Sequence, residues 1–221
     1  MRRSVTLLVP PCVVSVLLVG ALVFVMPARA GSLPATGQTT AYPADKNDGI
    51  VGPVAVPDDG TLQRGASLRY TVLKNGTVKE QNTRLIWEGK CSGCGGLPDV
   101  NKTYPWSGDG SQETIWDWLD AINAEGGTGY AGHHDWRIPN VRELQSIVDY
   151  GVFNLSIEPI FGPTAASSYR SSTTVAIAVG SDVSFHSDPS FAWTVDFVSG
   201  YVLIAHKGAD GFGRAGRGGP Q

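Results

Sequence analysis

The chain is poor in cysteine, with three in 221 residues, and poor in charge, with Asp, Glu, Lys and Arg making up 17%. No cysteine follows Cys94 and no second Cys-x-x-Cys occurs, so a zinc site would lack the further ligands it needs. No phosphate loop, Ser/His/Asp set or paired-carboxylate pattern stands out, which removes the usual sequence signals for nucleotide binding and hydrolysis. After Met26 no segment is apolar over the roughly 20 residues that a spanning helix requires. No internal repeat is present, which argues against a solenoid or propeller. The net charge is −3, whereas a general nucleic-acid binder is basic.

What is present begins with an export signal. Arg2 and Arg3 precede an uncharged apolar stretch from Val5 to Met26, and Ala28-Arg29-Ala30 closes it with a small-x-small signature. This pattern predicts a signal peptide over 1–30, cleaved to leave Gly31 as the N-terminus. The alternative is an uncleaved membrane anchor. Pro10-Pro11 counts against it, because the pair breaks a helix and leaves about fifteen apolar residues beyond it. Cys12 follows Val9-Pro10-Pro11, which lacks the small residues of a lipobox. Cleavage removes three arginines and no acid, leaving 14 basic against 20 acidic side chains and a net charge of −6. The product is expected to be periplasmic or secreted, with no stable membrane insertion and no nucleic-acid partner.

Residues 31–66 are rich in Gly, Pro, Thr and Asp without an apolar period, and read as a linker or loosely attached arm. Leu33-Pro34-Ala35-Thr36-Gly37 matches a sortase signal in letters only, because it stands far from a C-terminal apolar tail. A domain is expected over 67–219. Leu68–Leu73 and Thr77–Trp87 are strand-like, with Lys74-Asn75-Gly76 as the hairpin turn between them. A first helix is predicted from Ser111, with Glu113 in its first turn. Ile115, Trp118, Leu119 and Ile122 give it one apolar face, and Gly126-Gly127 stop it. A second helix follows the Asn140-x-x-Glu143 capping pattern and runs to Gly151, with Trp136-Arg137-Ile138 leading in as a strand. Ser168–Thr174, the hairpin Phe191–Phe197 with Tyr201–Lys207 across Val198-Ser199-Gly200, and a weak last strand Phe212–Arg217 complete the pattern. Two helices among short antiparallel strands make an α+β domain.

Five phrases in order carry a family resemblance. They are Gly76-Thr77-Val78 through Leu85-Ile86-Trp87; Trp136-Arg137-Ile138-Pro139-Asn140 with Glu143-Leu144; Tyr169-Arg170-Ser171-Ser172-Thr173; Ala192-Trp193-Thr194-Val195-Asp196-Phe197 with Gly200; and Arg214-Ala215-Gly216-Arg217. Over roughly 67–219 the chain resembles the Lcl C-terminal domain family, a bacterial domain of unknown function named after a collagen-like adhesin. The resemblance implies a C-type-lectin-like α+β fold. For the named adhesin it implies binding of sulfated polysaccharides as a trimer, hence a homo-oligomer here. This sequence departs from the family in three places: Arg170 stands where a Trp is usual, Gly213 or Gly216 where an aliphatic residue is usual, and the first hairpin lacks Asp-rich turns. The missing aspartates weaken the case for a cation site there. A collagen-like stalk and the Glu-Pro-Asn or Gln-Pro-Asp motifs of calcium-dependent lectins are also missing.

Few residues carry candidate chemistry. Cys91 and Cys94 form a CxxC that is either a redox dithiol or a local disulfide. Gly95-Gly96-Leu97-Pro98 after it denies the helix that a redox site opens, so a local disulfide or a free pair in a loop is expected. His133-His134-Asp135 and the distant His186 read as polar loop rather than as metal ligands, and no metal or cofactor is expected. Trp87, Trp118, Trp136 and Trp193 read as core, and Trp106, in Tyr104-Pro105-Trp106-Ser107-Gly108, as the exposed aromatic. Asp117 and Asp120 read as the wet face of the first helix. His206, Lys207, Arg214 and Arg217 form the one basic cluster of an acidic chain, interrupted only by Asp210. Together with Trp106 they are the expected ligand-binding residues, for sulfate or carboxylate groups of an acidic polysaccharide. The expected function is an exported, adhesin-type binding module without catalysis. The alternatives are a periplasmic enzyme, either a dithiol oxidoreductase or a hydrolase, and a structural envelope protein.

Overall fold

Tight reversals organise the chain, and the first is built from its own side chains. In the computed structural model, which describes residues 33–41, 57–176 and 188–219, Gly76 takes φ +81°. Asn75 Oδ1 accepts from Thr77 N–H at 3.3 Å and from Thr77 Oγ1 at 2.7 Å. Strand β1 (Tyr70–Val72) is thereby set antiparallel to β2 (Val78–Glu80), with Tyr70 opposite Glu80. The single strand expected over Thr77–Trp87 is interrupted. Residues 81–84 turn back, with Arg84 at φ +62°, and β3 (Leu85–Trp87) pairs antiparallel with β2. The signal segment 1–30, its cleavage site, and His186 lie outside the described residues.

The other strands are β4 (Thr103–Pro105), β5 (Ser168–Thr174), β6 (Phe191–Asp196), β7 (Val202–His206), β8 (Asp210–Phe212) and β9 (Gly216–Gly218). They complete one sheet of order β1-β2-β3-β9 and a second of order β4-β8-β5-β6-β7. Strand β5 has the expected bounds, and β6–β7 is the expected hairpin. In its turn, Asp196 Oδ1 accepts from the N–H groups of Val198 and Ser199 at 2.9 and 3.2 Å. Strand β4 was not expected. The last strand is divided: β8 lies in the five-stranded sheet and β9 in the four-stranded one, so residues 213–215 cross between them. A side chain at Gly213 would meet the Trp118 ring at 2.8 Å, so the crossing runs directly against that indole.

Three short α-helices are described. α1 (Asp59–Leu62) is a single turn capped by Asp58. α2 (Ile115–Ala124) starts later than expected: Thr114, not Ser111, is the cap, and Asp117 completes a capping box. Glu113 therefore precedes the helix, and Asp117 is a capping group rather than simply wet surface. α3 (Val141–Gln145) has the expected Asn140–Glu143 box but ends well before Gly151. Trp136-Arg137-Ile138 makes one bridge, Arg137 to Gly216, in place of a strand. The arm is pinned where it is described: Tyr150 N–H donates to Thr36 O at 2.7 Å, Ala35 N–H to Ala66 O at 2.8 Å, and Ala41 is buried.

One core joins Trp87, Leu144, Ile147, Phe161, Tyr169 and Phe197; the second joins Tyr104, Ile115, Trp118, Ile122, Trp136 and Ala215. Helices grouped beside two largely antiparallel sheets give an α+β fold. Among the described residues no helix is long and apolar enough to cross a membrane.

Candidate functional site

The turn after β7 places Lys207 against Trp106. Ala209 N–H donates to His206 O at 3.1 Å and Gly208 N–H to His206 Nδ1 at 3.1 Å, which closes the turn. Trp106 N–H and Ser107 N–H both donate to Lys207 O, at 2.8 and 3.0 Å, and Lys207 N–H donates to Ser190 O at 2.8 Å. With its backbone held on both sides, Lys207 lays Nζ 3.9 Å from the Trp106 ring centroid. Such a cation–π contact contributes about 0.5–1 kcal/mol near the surface. Trp106 is itself fixed: Nε1–H donates to Ser171 O at 3.0 Å, and Trp116 meets it edge to face at 4.9 Å. It is half-buried rather than freely exposed. Among the described residues no carboxylate lies within ion-pair distance of Lys207. His206 is exposed beside the edge of Phe191.

The expected basic cluster is not one surface. Arg214 is fully buried. Its Nη1 donates to Glu88 O and Phe161 O, both at 3.0 Å, and its Nη2 to Thr164 Oγ1 at 2.8 Å and Pro163 O at 3.4 Å. The cause is the break in the last strand. A continuous strand over 212–217 would turn alternate side chains to solvent, but the crossing segment carries Arg214 between the sheets, where loop carbonyls need a donor. Arg214 is thus a structural residue and cannot meet a ligand from solvent. Glu88 completes this interior group: Oε2 accepts from Ala215 N–H at 2.9 Å and Oε1 pairs with Lys90 Nζ at 2.9 Å. Burial pushes the Lys90 ammonium down, against the pull of Glu88. Arg217 lies on the four-stranded sheet and is paired with Asp135, Nε to Oδ1 at 2.7 Å and Nη2 to Oδ2 at 3.1 Å. That pairing leaves less of its charge for a ligand, and the Arg217 guanidinium holds the Asp135 carboxyl below the usual carboxylate range.

Two residues near the turn escaped sequence reasoning. Trp116 sits one position off the apolar face of α2 and becomes the second ring of the platform. Arg170 is buried across Gly211, where any side chain would meet it at 2.5 Å, and Nη2 donates to Ala209 O while Nε and Nη1 have no partner among the described residues. Its presence where the family has a Trp was the only signal.

Cys91 and Cys94 are joined as a disulfide. The loop around it is tied by Val100 N–H to Cys91 O at 2.8 Å and by Asp99, which accepts from Gly95 N–H and Asn101 N–H, both at 3.0 Å. No helix begins there. Among the described residues no group of His, Cys, Asp and Glu is placed to hold a metal. Trp136 is buried, with Nε1–H on Tyr130 O at 2.9 Å, whereas Trp193 is only half-buried. Residues 76–217 match the model of the Lcl C-terminal domain. No curated protein matches the chain.

Proposed function

The chain belongs to the Lcl C-terminal domain family, and from that membership we propose an exported, C-type-lectin-like module that binds acidic or sulfated polysaccharide without catalysing a reaction. The observation that carries this function is the Trp106–Lys207 pair. An indole held by hydrogen bonds offers apolar ring surface to a sugar, and the ammonium lying over it has no carboxylate partner among the described residues. Trp116 extends the aromatic surface and His206 adds a second nitrogen group at the same turn. Attraction is local, because the chain as a whole is acidic, and it weakens as salt screens it.

The test is heparin binding at low and moderate salt. Lys207→Ala and Trp106→Ala are each expected to remove most of the affinity, and Arg217→Ala to change it little. Affinity that survives both substitutions, or that ignores salt, refutes the assignment.

A further inference from the structure

The loops between α3 and β5 enclose a second site, remote in sequence from the Trp106 platform. A cleft of about 540 Å³ opens there, within the range of roughly 300–1,000 Å³ typical of small-molecule sites. Val152, Leu155, Ile157 and Pro163 make its walls mostly apolar, and among the described residues its only charged lining residues are Asp149 and Glu158. Val152, in the lining, is 49% exposed, and Phe153 and Ile160, each next in sequence to a lining residue, are 76% and 38% exposed.

Both walls are held from behind. On one side the buried Arg214 guanidinium binds Phe161 O, Pro163 O and Thr164 Oγ1. On the other, Asn154 N–H donates to Val198 O at 2.9 Å and Ser156 N–H to Phe197 O at 2.7 Å, while Ser156 Oγ reaches Val152 O at 2.8 Å. A cleft fixed in this way needs little ordering when a ligand enters.

Its charge is one-sided. Asp149 Oδ1 accepts from Gly151 N–H at 2.8 Å. Glu158, half-buried in the wall, has no hydrogen bond to its carboxylate and no cation within ion-pair distance among the described residues. The nearby Tyr70 phenol is pushed up first by burial and then by the carboxylates of Glu80, Glu158 and Asp149.

We infer that the cleft binds a small amphiphilic amine, with the apolar body against Val152, Leu155, Ile157 and Pro163 and the protonated nitrogen on Glu158. Two probes of equal shape separate charge from burial: phenylbutylamine and the corresponding neutral alcohol, phenylbutanol. Amide shifts of the ¹⁵N-labelled protein are followed in titrations with each. The amine is expected to move the amides of residues 149–164 saturably, with the alcohol about tenfold weaker at the same amides. Glu158→Gln, which keeps shape, should bring the amine down to the level of the alcohol, and Val152→Lys should repel the amine while the folded spectrum is retained. Equal binding of amine and alcohol, shifts elsewhere, or a preference that survives Glu158→Gln overturns the inference. So does a cleft closed by Phe153 of a second copy, seen as concentration-dependent association abolished by Phe153→Ser. None of these outcomes bears on heparin affinity, so the two sites stand or fall separately.

Discussion

Replacing Arg214 by alanine separates an interior arginine from a surface one more sharply than any binding measurement. In the structure its guanidinium makes three hydrogen bonds of 3.0 Å or shorter, to Glu88 O, Phe161 O and Thr164 Oγ1. Hydrogen bonds involving a charged group contribute about 1.5–3 kcal/mol each. Deletion also leaves a cavity and buried acceptors without a donor, while admitted water and relaxation of the 161–164 loop recover part of the loss. A net destabilisation of about 4 kcal/mol follows, a large share of the roughly 5–15 kcal/mol that holds a domain together. Arg217→Ala, whose partner Asp135 has a side chain 55% exposed, should cost less than about 1 kcal/mol. Urea denaturation reads both: the Arg214 variant should shift its midpoint far down or populate the unfolded state without denaturant, and the Arg217 variant should stay near the parent. A loss below about 1 kcal/mol for Arg214→Ala would refute the interior placement, and with it the held wall of the 149–164 cleft.

Two other outcomes are expected. Glu80 is buried, and desolvation raises its carboxyl above the usual range despite hydrogen bonds from Trp87 Nε1 and Ser146 Oγ. An acid whose folded pKa is raised contributes fully below its unfolded pKa and loses that contribution as pH rises through the folded one. Glu80→Gln should therefore flatten the fall in melting temperature from acidic to neutral pH; a parallel fall in both proteins counts against the burial argument. Cys91→Ser/Cys94→Ser opens a loop of only a few residues, so it should cost no more than about 2 kcal/mol. The parent should show no insulin-reducing turnover, and clear turnover that the double substitution removes would instead assign a redox role to the loop.

Local signals were legible where both partners lie within a few residues. Asn140 and Glu143 mark the start of α3, and Val198-Ser199-Gly200 mark the β6–β7 turn, because a capping box or tight turn is written in adjacent positions. The start of α2 was equally local, but Ser111 competes with Thr114, and only the Asp117 carboxylate selects the latter. The division of the last strand was not legible: Gly213 breaks it against Trp118, which lies far back in the chain. The same distance hid Arg214, whose acceptors are 50 to 126 residues away. In the candidate site, Trp106 and Lys207 were both named from sequence, but their contact depends on the pairing of β4 with β8.

The crossing at 213–215 also sets an order of events. Strand β9 closes on β3 across about 130 residues, while β8 enters the middle of the other sheet. A ribosome therefore delivers the three strands of residues 70–87 long before the strand that ties them to the remainder. Until residue 218 emerges, the edge of β3 has no partner and the interior charges of Glu88 and Lys90 lack the segment that encloses them. Pairings this distant form slowly, because the loop must close before contacts compensate for it. The domain is thus one that cannot mature piecemeal, and a chain halted short of residue 214 should be recognised by proteases as unfolded.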